Sequence, residues 1–500
     1  MSVWWLWEQL DARSALIFVV VLLFVSDYLK HRDGKNFPPG PFWVPFVGDL
    51  FKMASDHPHL YMAKLTEKFG NVYSLRFGGS KIVIVNGYKM AKEALLTQGY
   101  ALTGRPQPAA YDRIYKIPGL TLSNGYTWKE HKRFTLTTLR NFGVGKKSLE
   151  SIIMEEAKFF VEAFEEERGQ PFNPHYTINN AISNIICLIV LGHRFEYSDS
   201  HYREIQHLIN RGIVLEGSWW TWVYNAYPRI MRYLPGRHNE LFSVYGKVLV
   251  FLREEIRNHK EDLDPTSPRD YIDTYLLEIE KRKDDPAAAF NDDALCSNTL
   301  DLFVAGSETT ATTLRWALLF MVLNPQIQEK VQAEIDSVLG QTHLPSMEDK
   351  INMPYTEAVV HEIQRMGDIV PLNLFKMTVE DMTIGGYAIP KDTAVLINLN
   401  SILKDKSEWE TPNTFNPAHF LTPDGKFRRR EAFMPFSAGK RSCLGEPLAR
   451  IELFLFFTCL LQKFTFCAPE GTNLTLDSIS GFTRAPVPYK ICAIPRHQIA

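Results

Sequence analysis

The sequence has no C-x-x-C pair, and its six cysteines are scattered over 500 residues. This pattern indicates neither a zinc site nor a disulfide framework, and it fits a reducing compartment. The chain also has almost no excess of charge of one sign. The formal net charge is −2, so no overall field argues for nucleic-acid binding. Hydrophobic residues make up 45% and aromatic residues 12% of the chain, which is ample for a large core.

A long uninterrupted apolar run is also missing near the N-terminus. The run from Ala15 to Val25 lies between Arg13 and Asp27, and it is shorter than the ~20 residues of a spanning helix. Tryptophans at positions 4, 5 and 7 suit a membrane interface. A cleavable signal peptide is the alternative, but it would have a basic start. Basic residues instead follow the run, at positions 30, 32 and 35, which favours an uncleaved signal anchor.

The rest of the chain has few strand patterns and many helical ones. Two strands are predicted, over Val72 to Phe77 and Lys81 to Val85. The longest helix is predicted to begin near Asn291 and to end at Asn324, before Pro325. Its few charges predict burial on most sides. We therefore expect a mainly α fold with a small β portion, in one large domain.

The segment from Phe436 to Gly445 carries the most specific chemistry. It places Cys443 at the end of a glycine-containing loop, before a helix that is predicted to start near Leu444. Backbone N–H groups at a helix start favour a thiolate, and a thiolate is a soft axial ligand for iron. A lone cysteine is more often a buried structural residue, but six constrained positions within ten residues argue for a ligand.

This loop resembles the haem-binding loop of the cytochrome P-450 family, whose pattern is Phe-x-x-Gly-x-Arg-x-Cys-x-Gly. The resemblance implies haem b with Cys443 as its axial thiolate ligand. Phe436 would pack near the sulfur, Gly439 would permit a tight turn and the close approach of a flat ring, and Arg441 would reach a haem propionate. The resemblance also assigns Ser437 to the cofactor site.

The middle of the longest helix contains a glycine and an acid, in the stretch from Ala305 to Thr310. Both are unfavourable in a buried helix. One interpretation is a kinked helix with a partly solvated glutamate. The stretch also resembles the oxygen-binding signature of the same family. By that resemblance Gly306 leaves room for dioxygen, Thr309 hydrogen-bonds the bound oxygen, and Glu308 relays protons through water.

Glu362 and Arg365 lie three residues apart, on one face of a predicted helix. An exposed pair of this kind contributes little stability. The pair resembles the Glu-x-x-Arg motif of the family, which is buried and structural. His419 stands where many relatives have the arginine that completes this clamp, which leaves a weaker or pH-sensitive clamp open.

Other basic residues match the haem-propionate contacts of the family only in part. Trp128 begins a segment that resembles the Trp-x-x-x-Arg helix, but Lys132 stands at the arginine position. Lys376 likewise replaces a usual His or Arg, whereas Arg105 and the arginine of the cysteine loop match. Lysine keeps the charge and loses the bidentate geometry. Arg133 is an alternative to Lys132 as the residue that contacts the propionate.

The substrate-contacting regions of the family correspond here to largely apolar residues, which suit a lipophilic substrate. The candidate contacts are Thr121, Leu122, Val304, Ala305, Val370, Leu374 and Thr483. Candidate partners for a fatty carboxylate are Arg113, Lys116, Arg211 and Arg484. An aromatic-rich patch from Trp219 to Tyr227 either packs in the core or dips into a membrane.

A basic cluster from Lys426 to Arg430 lies close in sequence to the cysteine loop. A charge run is usually a solvated face. In the family, the corresponding face docks an acidic flavoprotein reductase, with cytochrome b5 as a second donor, and charge complementarity raises the association rate.

The resemblance extends over the whole chain and is strongest to vertebrate family two, in its J-like branch. It implies an NADPH-cytochrome reductase-dependent monooxygenase that inserts one atom of O2 into lipophilic substrates. These would be polyunsaturated fatty acids such as arachidonic acid, by epoxidation and hydroxylation, and xenobiotics. Two alternatives remain: a haem-thiolate peroxide isomerase that needs no reductase, and a non-catalytic haem- or lipid-binding protein.

The same resemblance divides the chain into three segments. Residues 1–29 are the membrane signal anchor, residues 30–45 are a basic and proline-rich elbow, and residues 46–500 are the haem-thiolate domain. The expected location is the endoplasmic reticulum membrane, with the catalytic domain on the cytosolic face and in contact with membrane lipid. No nucleic-acid partner is expected.

Overall fold

The structure, a computed structural model, describes residues 12–30, 32, 34–53, 58–144 and 147–496. The three tryptophans of the predicted anchor lie outside the described residues. The α-helices are α1 Ala12–Lys30, α2 Leu50–Met53, α3 Pro58–Phe69, α4 Tyr88–Lys92, α5 Tyr111–Ile114, α6 Gly125–Asn141, α7 Lys147–Glu165, α8 His175–Val190, α9 Ser200–Glu216, α10 Trp219–Ala226, α11 Pro228–Met231, α12 Arg237–Asp262, α13 Tyr271–Lys281, α14 Asp292–Leu323, α15 Pro325–Leu339, α16 Pro354–Gly367, α17 Leu399–Leu403 and α18 Glu446–Lys463. The strands are β1 Val72–Phe77, β2 Ser80–Val85, β3 Lys376–Met377, β4 Met382–Ile384, β5 Tyr387–Ile389, β6 Ala394–Ile397, β7 Phe464–Cys467, β8 Ser478–Ser480, β9 Arg484–Pro486 and β10 Cys492–Pro495.

The main sheet has four strands in the order β1-β2-β6-β3. Strands β1 and β2 form an antiparallel pair with Phe77 opposite Ser80, and β2 pairs in parallel with the distant β6. All six residues of β1 are buried, so both faces of this strand are covered. The two predicted strands are confirmed, and the expected mainly α fold with a small β portion is confirmed with them.

Helix α14 runs through the core of the protein. The Asn291 side chain caps its N-terminus by accepting a hydrogen bond from the Ala294 backbone N–H, and the helix ends before Asn324. Pro325 then opens α15, where its missing N–H leaves no bond unmade. Most side chains of α14 are buried, as its sequence predicts, and the helix packs along α8.

The predicted acid–base pair on α16 is fully buried. Arg365 donates to both carboxylate oxygens of Glu362 at 2.7 Å, and it donates three further bonds to backbone carbonyls between residues 403 and 414. His419 Nδ1 lies 3.3 Å from each carboxylate oxygen of Glu362. His419 Nε2 accepts the Thr411 backbone N–H at 3.2 Å, which places the ring proton on Nδ1. The histidine therefore connects this loop to the pair.

Helix α1 leaves its large apolar side chains exposed from Leu16 to Leu29. Its last turns contact the proline-rich segment that follows it. The Phe24 and Phe46 rings meet edge to face at 5.5 Å, and Asp27 accepts the Phe46 backbone N–H at 3.0 Å. Within the described ranges, no helix is long and apolar enough to cross a membrane.

Candidate active site

A cavity of about 310 Å³ lies between α14, α18 and the loops that carry the predicted site residues. Its lining combines the cysteine loop with the middle of α14 and with several basic residues. The predicted residues that line it are Arg105, Thr121, Trp128, Lys132, Ala305, Gly306, Thr309, Val370, Leu374, Phe436, Ser437, Arg441 and Cys443. The fold therefore brings residues that are more than 330 positions apart into one site.

Cys443 is exposed to this cavity, at the entrance to α18. Its backbone N–H donates to the Phe436 carbonyl at 3.0 Å, which closes the loop. Burial raises the pKa of the Cys443 thiol, and backbone N–H groups of Gly445 and Glu446 act in the opposite direction. Helix α18 starts at Glu446, two residues after the predicted Leu444, because Gly445 is its N-cap. The N–H groups at the helix start face the sulfur, as the sequence predicts.

Gly439 is required by its backbone conformation and by a close backbone neighbour. Its φ of 77° is in the left-handed region, and a Cβ there would lie 2.3 Å from the Leu95 carbonyl oxygen. The predicted tight turn is present, and the close approach of a flat ring to Gly439 stays a prediction. Ser437, also at positive φ, accepts a hydrogen bond from Asn373 Nδ2 at 3.0 Å. Asn373 lines the cavity and was missed, because nothing in its local sequence marks it.

Four cations form a cluster at the cavity: Arg105, Lys132 and Arg441 line it, and Lys376 lies near the two arginines without lining it. Arg105 donates to the carbonyls of Leu374 at 3.0 Å and Phe375 at 2.5 Å. Arg441 donates to two backbone carbonyls, and its guanidinium lies 3.7 Å from the Trp128 ring centroid. Lys132 Nζ donates to the Lys440 carbonyl, and Lys376 is only 1% exposed. In the part of the chain that the structure describes, their bonds go to carbonyl oxygens, so their charges lack a counter-anion.

The electrostatics of this cation cluster fit two bound carboxylates. Lys376 Nζ is buried and has no hydrogen-bond partner among the described residues. Burial, with Arg105 and Arg441 nearby, holds the pKa of Lys376 well below its usual value. Burial also lowers the pKa of Arg441 to about 8 and that of Arg105 to about 10. A bound anion would stabilise the charged forms of all three side chains. These residues therefore fit the propionates of a haem.

The sequence allowed Arg133 to take the place of Lys132 at the haem propionate, but the structure directs Arg133 elsewhere. Its side chain is 66% exposed, and it bonds Glu130 at 2.6 Å. Consecutive helix residues point about 100° apart, so Lys132 faces the cavity and Arg133 does not. The residue that faces the cavity where the family has an arginine is therefore a lysine.

The middle of α14 borders the cavity through Ala305, Gly306 and Thr309, and the Thr309 hydroxyl donates to the Ala305 carbonyl at 2.8 Å. Gly306 was expected to leave room for dioxygen. A Cβ at Gly306 would instead lie 2.3 Å from the Ile186 side chain on α8. The glycine therefore permits the close packing of α8 against α14.

Glu308 is a buried residue of α14, and it does not line the cavity. Its Oε1 accepts hydrogen bonds from the hydroxyls of Thr312 at 2.8 Å and Thr483 at 3.3 Å. Its Oε2 has no partner among the described residues. Burial raises the pKa of Glu308, while the nearby Arg315 lowers it. Glu308 thus shares a buried polar site with Arg315, which the sequence analysis missed.

Three of the predicted substrate contacts were wrong. Leu122, Val304 and Thr483 do not line the cavity. Val304 packs against the main core beside Ala305, and Thr483 turns toward Glu308 while its neighbour Phe482 faces the cavity. In each case the error is one position along the chain, which changes the direction of the side chain.

The candidate carboxylate partners do not line the cavity either. Lys116 pairs with Asp293 at 3.1 Å, and Arg211 forms a bidentate pair with Glu240. Arg113 packs over the Phe242 ring, and Arg484 bonds carbonyls at the end of α16. None of the four contributes to the lining of the cavity.

Two acids line the cavity that the sequence analysis missed. Asp301 accepts the Thr121 backbone N–H at 2.8 Å and the Tyr115 hydroxyl at 3.0 Å, so it fastens the neighbouring loop to α14. Burial raises the pKa of Asp301 to about 6. Glu452 on α18 is fully buried, and burial raises its pKa well above the usual value. An acid in an apolar helix was the signal that identified Glu308, and it applies to both.

A cysteine loop, a buried glycine-containing helix and a cation cluster around one cavity define a haem-thiolate protein. The sequence pattern of the family described as Cytochrome P450 matches residues 38–493, and the chain belongs to that family. It is 49% identical to Cytochrome P450 2J2 of Homo sapiens over 491 residues, which cover 98% of each chain. It is 50% identical to Cytochrome P450 2J1 of Oryctolagus cuniculus over 97% of each chain. Cytochrome P450 2D15 of Canis lupus familiaris is 43% identical over 98% of this chain and 99% of its own.

These relatives confirm the resemblance to family two and to its J-like branch. The protein is a haem-thiolate monooxygenase of the kind that draws electrons from a reductase, and its cofactor is haem with a cysteine thiolate ligand. The isomerase and the non-catalytic binding protein are not favoured.

Proposed function

We propose that Cys443 is the axial ligand and that Arg105, Lys132, Lys376 and Arg441 hold the haem propionates, with Trp128, Phe436, Ser437 and Gly439 shaping the site. The observation that supports this most directly is the buried Lys376 ammonium, which has no partner among the described residues and lies near Arg105 and Arg441, two residues of the cavity lining. When bound, haem supplies the iron at which dioxygen is reduced and one oxygen atom is transferred.

The protein residues control protons and water at this site. Thr309 lies at the cavity wall and carries a hydroxyl that can hold a proton toward the oxygen to be activated. Burial raises the pKa of Glu308, and its Oε2 has no partner among the described residues, so it holds a proton at a higher pH than an ordinary glutamate does. Since it does not line the cavity, water must connect it to Thr309. The buried group of Glu362, Arg365 and His419 has a structural role, since it joins α16 to the loop that carries His419, and it takes no part in the chemistry.

Polyunsaturated fatty acids such as arachidonic acid, and lipophilic xenobiotics, are the proposed substrates. The lining residues Leu302, Ala305, Val370, Leu374 and Phe482 offer an apolar wall to a hydrocarbon chain. The basic residues of the described lining are three members of the cation cluster and Lys440, which precedes Arg441 in the chain. We therefore infer that the apolar body of a fatty acid enters the cavity and that its carboxylate stays near the solvent.

Reconstitution with reductase, NADPH, lipid and arachidonic acid tests this function. We expect NADPH-dependent epoxides and hydroxylated products, and none from a Cys443→Ser variant, which loses the thiolate. Oxidation of a general drug probe without any fatty-acid product would keep the monooxygenase and remove the fatty-acid assignment.

We also propose that the protein is held at the endoplasmic reticulum membrane with its catalytic domain on the cytosolic face. Residues 1–29 would be the anchor, residues 30–45 the elbow and residues 46–500 the catalytic domain. The exposed apolar side chains of α1 support this, as does a second exposed group. Its members are Phe42, Phe46, Phe51, Trp219, Ile230 and Tyr233. Such a group suits contact with membrane lipid. The other aromatic residues of α10 are mostly packed, and Trp222 meets Phe77 at 5.2 Å.

The proposed reductase surface includes the basic cluster from Lys426 to Arg430, and cytochrome b5 would use the same face. Three members are engaged by acids: Glu410 contacts Arg428 and Arg430, and Asp424 contacts Lys426. Arg429 is exposed. An exposed charge of this kind mainly raises the association rate, and salt screens it.

An Arg429→Glu variant tests this surface. We expect a higher KM for reductase at low salt, and the difference from the unmodified enzyme should shrink at high salt. The matched control is Arg253→Glu on α12, an exposed arginine far along the chain from the cluster. An equal response of the two variants would rule out the proposed surface.

A further inference from the structure

Two cysteines that are distant in sequence lie opposite each other in a small sheet. Strands β7 and β10 form an antiparallel pair in which Cys467 faces Cys492. Phe464 and Phe466 point into the core, while Thr465 and Cys467 are exposed on the other face of β7. Side chains directly opposite each other in such a pair share one face of the sheet. The two thiols therefore lie side by side on the outer face.

The hydrogen bonds of the neighbouring residue define the spacing of this pair. The Phe466 backbone N–H donates to Gln328 Oε1 at 2.7 Å, and its carbonyl accepts from Gln328 Nε2 at 3.0 Å. Both groups point away from β10, so Phe466 is at a non-hydrogen-bonded position. Because the positions alternate, Cys467 and Cys492 are a hydrogen-bonded pair, with Cα atoms about 5.5 Å apart. That distance lies within the range that a disulfide spans.

The thiols are free, and they differ in exposure. Cys467 is exposed, whereas Cys492 is 8% exposed. The Cys492 thiol contacts Cys467 closely enough to raise its pKa, in the same direction as burial does. Of the other cysteines, three are buried and Cys443 faces the haem cavity. In the haem-loaded enzyme, Cys467 is thus the cysteine that a reagent in solution meets first.

We propose that Cys467 and Cys492 are a redox dithiol that closes reversibly to a cross-strand disulfide. With hydrogen peroxide as the oxidant, the Cys467 thiolate attacks one peroxide oxygen and forms a sulfenic acid, while water leaves. The Cys492 sulfur then attacks the Cys467 sulfur, which expels a second water and forms the S–S bond. Two thiols and one peroxide give one disulfide and two waters, and a dithiol reductant reverses the step.

This bond would close a covalent loop over residues 468–491. The loop contains the hairpin of β8 and β9, whose turn presents Phe482 to the cavity and Thr483 to Glu308. A cross-link at the base of a loop restricts the chain that it encloses. The thiol state on the outer face is therefore connected to a segment that borders the active site.

The test uses the full-length, haem-loaded enzyme, which is oxidised with hydrogen peroxide, capped with N-ethylmaleimide and digested. We expect a linked peptide that contains Cys467 and Cys492, and dithiothreitol followed by fresh N-ethylmaleimide should convert it to two capped peptides. Recovery of Cys467 as a sulfinic or sulfonic acid, with Cys492 still capped by the maleimide, would overturn the proposal.

A second measurement does not depend on oxidation or on activity. Phenylarsine oxide bridges two close thiols and holds single thiols weakly. We expect one equivalent bound by the unmodified enzyme, and a loss of that binding in both Cys467→Ser and Cys492→Ser. Equal binding by the unmodified enzyme and by either variant would show that the thiols are too far apart, and it would overturn the proposal.

Discussion

Replacement of Arg365 by lysine tests the buried pair on α16. Arg365 donates five hydrogen bonds, two to Glu362 and three to backbone carbonyls. Lysine offers three donors, so at least two buried acceptors lose their partner. Each such loss costs about 1–3 kcal/mol, which gives a decrease of about 2–6 kcal/mol in the free energy of unfolding. This range includes the values of about 3–5 kcal/mol that broken buried pairs give.

The measurement is urea unfolding of the haem-loaded protein, followed by circular dichroism. The matched control is Arg257→Lys, because Arg257 forms an exposed pair with Glu254 at 2.9 Å. We expect the control to lose at most about 1 kcal/mol. If Arg365→Lys lies within 1 kcal/mol of this control, about the scatter of such comparisons, the hydrogen bonds of Arg365 do not have the energetic role assigned to them.

Three further predictions concern the cavity and its frame. Lys376→Met should raise the urea midpoint of the apoprotein, since it removes a buried charge without a partner, and it should speed haem transfer to apomyoglobin; slower transfer would contradict the propionate role. Burial raises the pKa of Asp368 from 3.8 to about 6, so the folded state binds the proton more tightly and its stability falls as pH rises from about 4 to 6. Asp368→Asn should remove roughly 3 kcal/mol of that fall in the free energy of unfolding. An unchanged slope in pH-dependent urea melts would oppose this prediction. Thr309→Ala should keep NADPH consumption and divert electrons to hydrogen peroxide, and an unchanged ratio of product to NADPH would exclude its role.

The sequence predicts elements and motifs better than the directions of single side chains. The strand over Val72 to Phe77 and the boundaries of α14 follow from strong local signals, namely alternation, an asparagine cap and a proline. The cysteine loop was found because several residues in it are constrained together. Each of these signals is contained within one short stretch of chain.

The errors come from information that the local sequence does not contain. Val304 and Arg133 each stand one residue from a cavity-facing neighbour, and a helical turn of about 100° decides which of the two faces inward. Gly306 and Gly439 were identified correctly as special. Their neighbours, Ile186 and Leu95, come from distant segments, so only the folded structure shows why a side chain is excluded.

The cation cluster has a consequence for how the enzyme is made in the cell. A chain that has folded around four inward-facing positive charges and has not yet received its dianionic cofactor holds those charges together without compensation. Such a chain opens more readily and presents itself to proteases for longer. Synthesis of the polypeptide and supply of the porphyrin are thereby coupled, and the amount of enzyme that accumulates should follow the availability of haem even when its messenger level is constant.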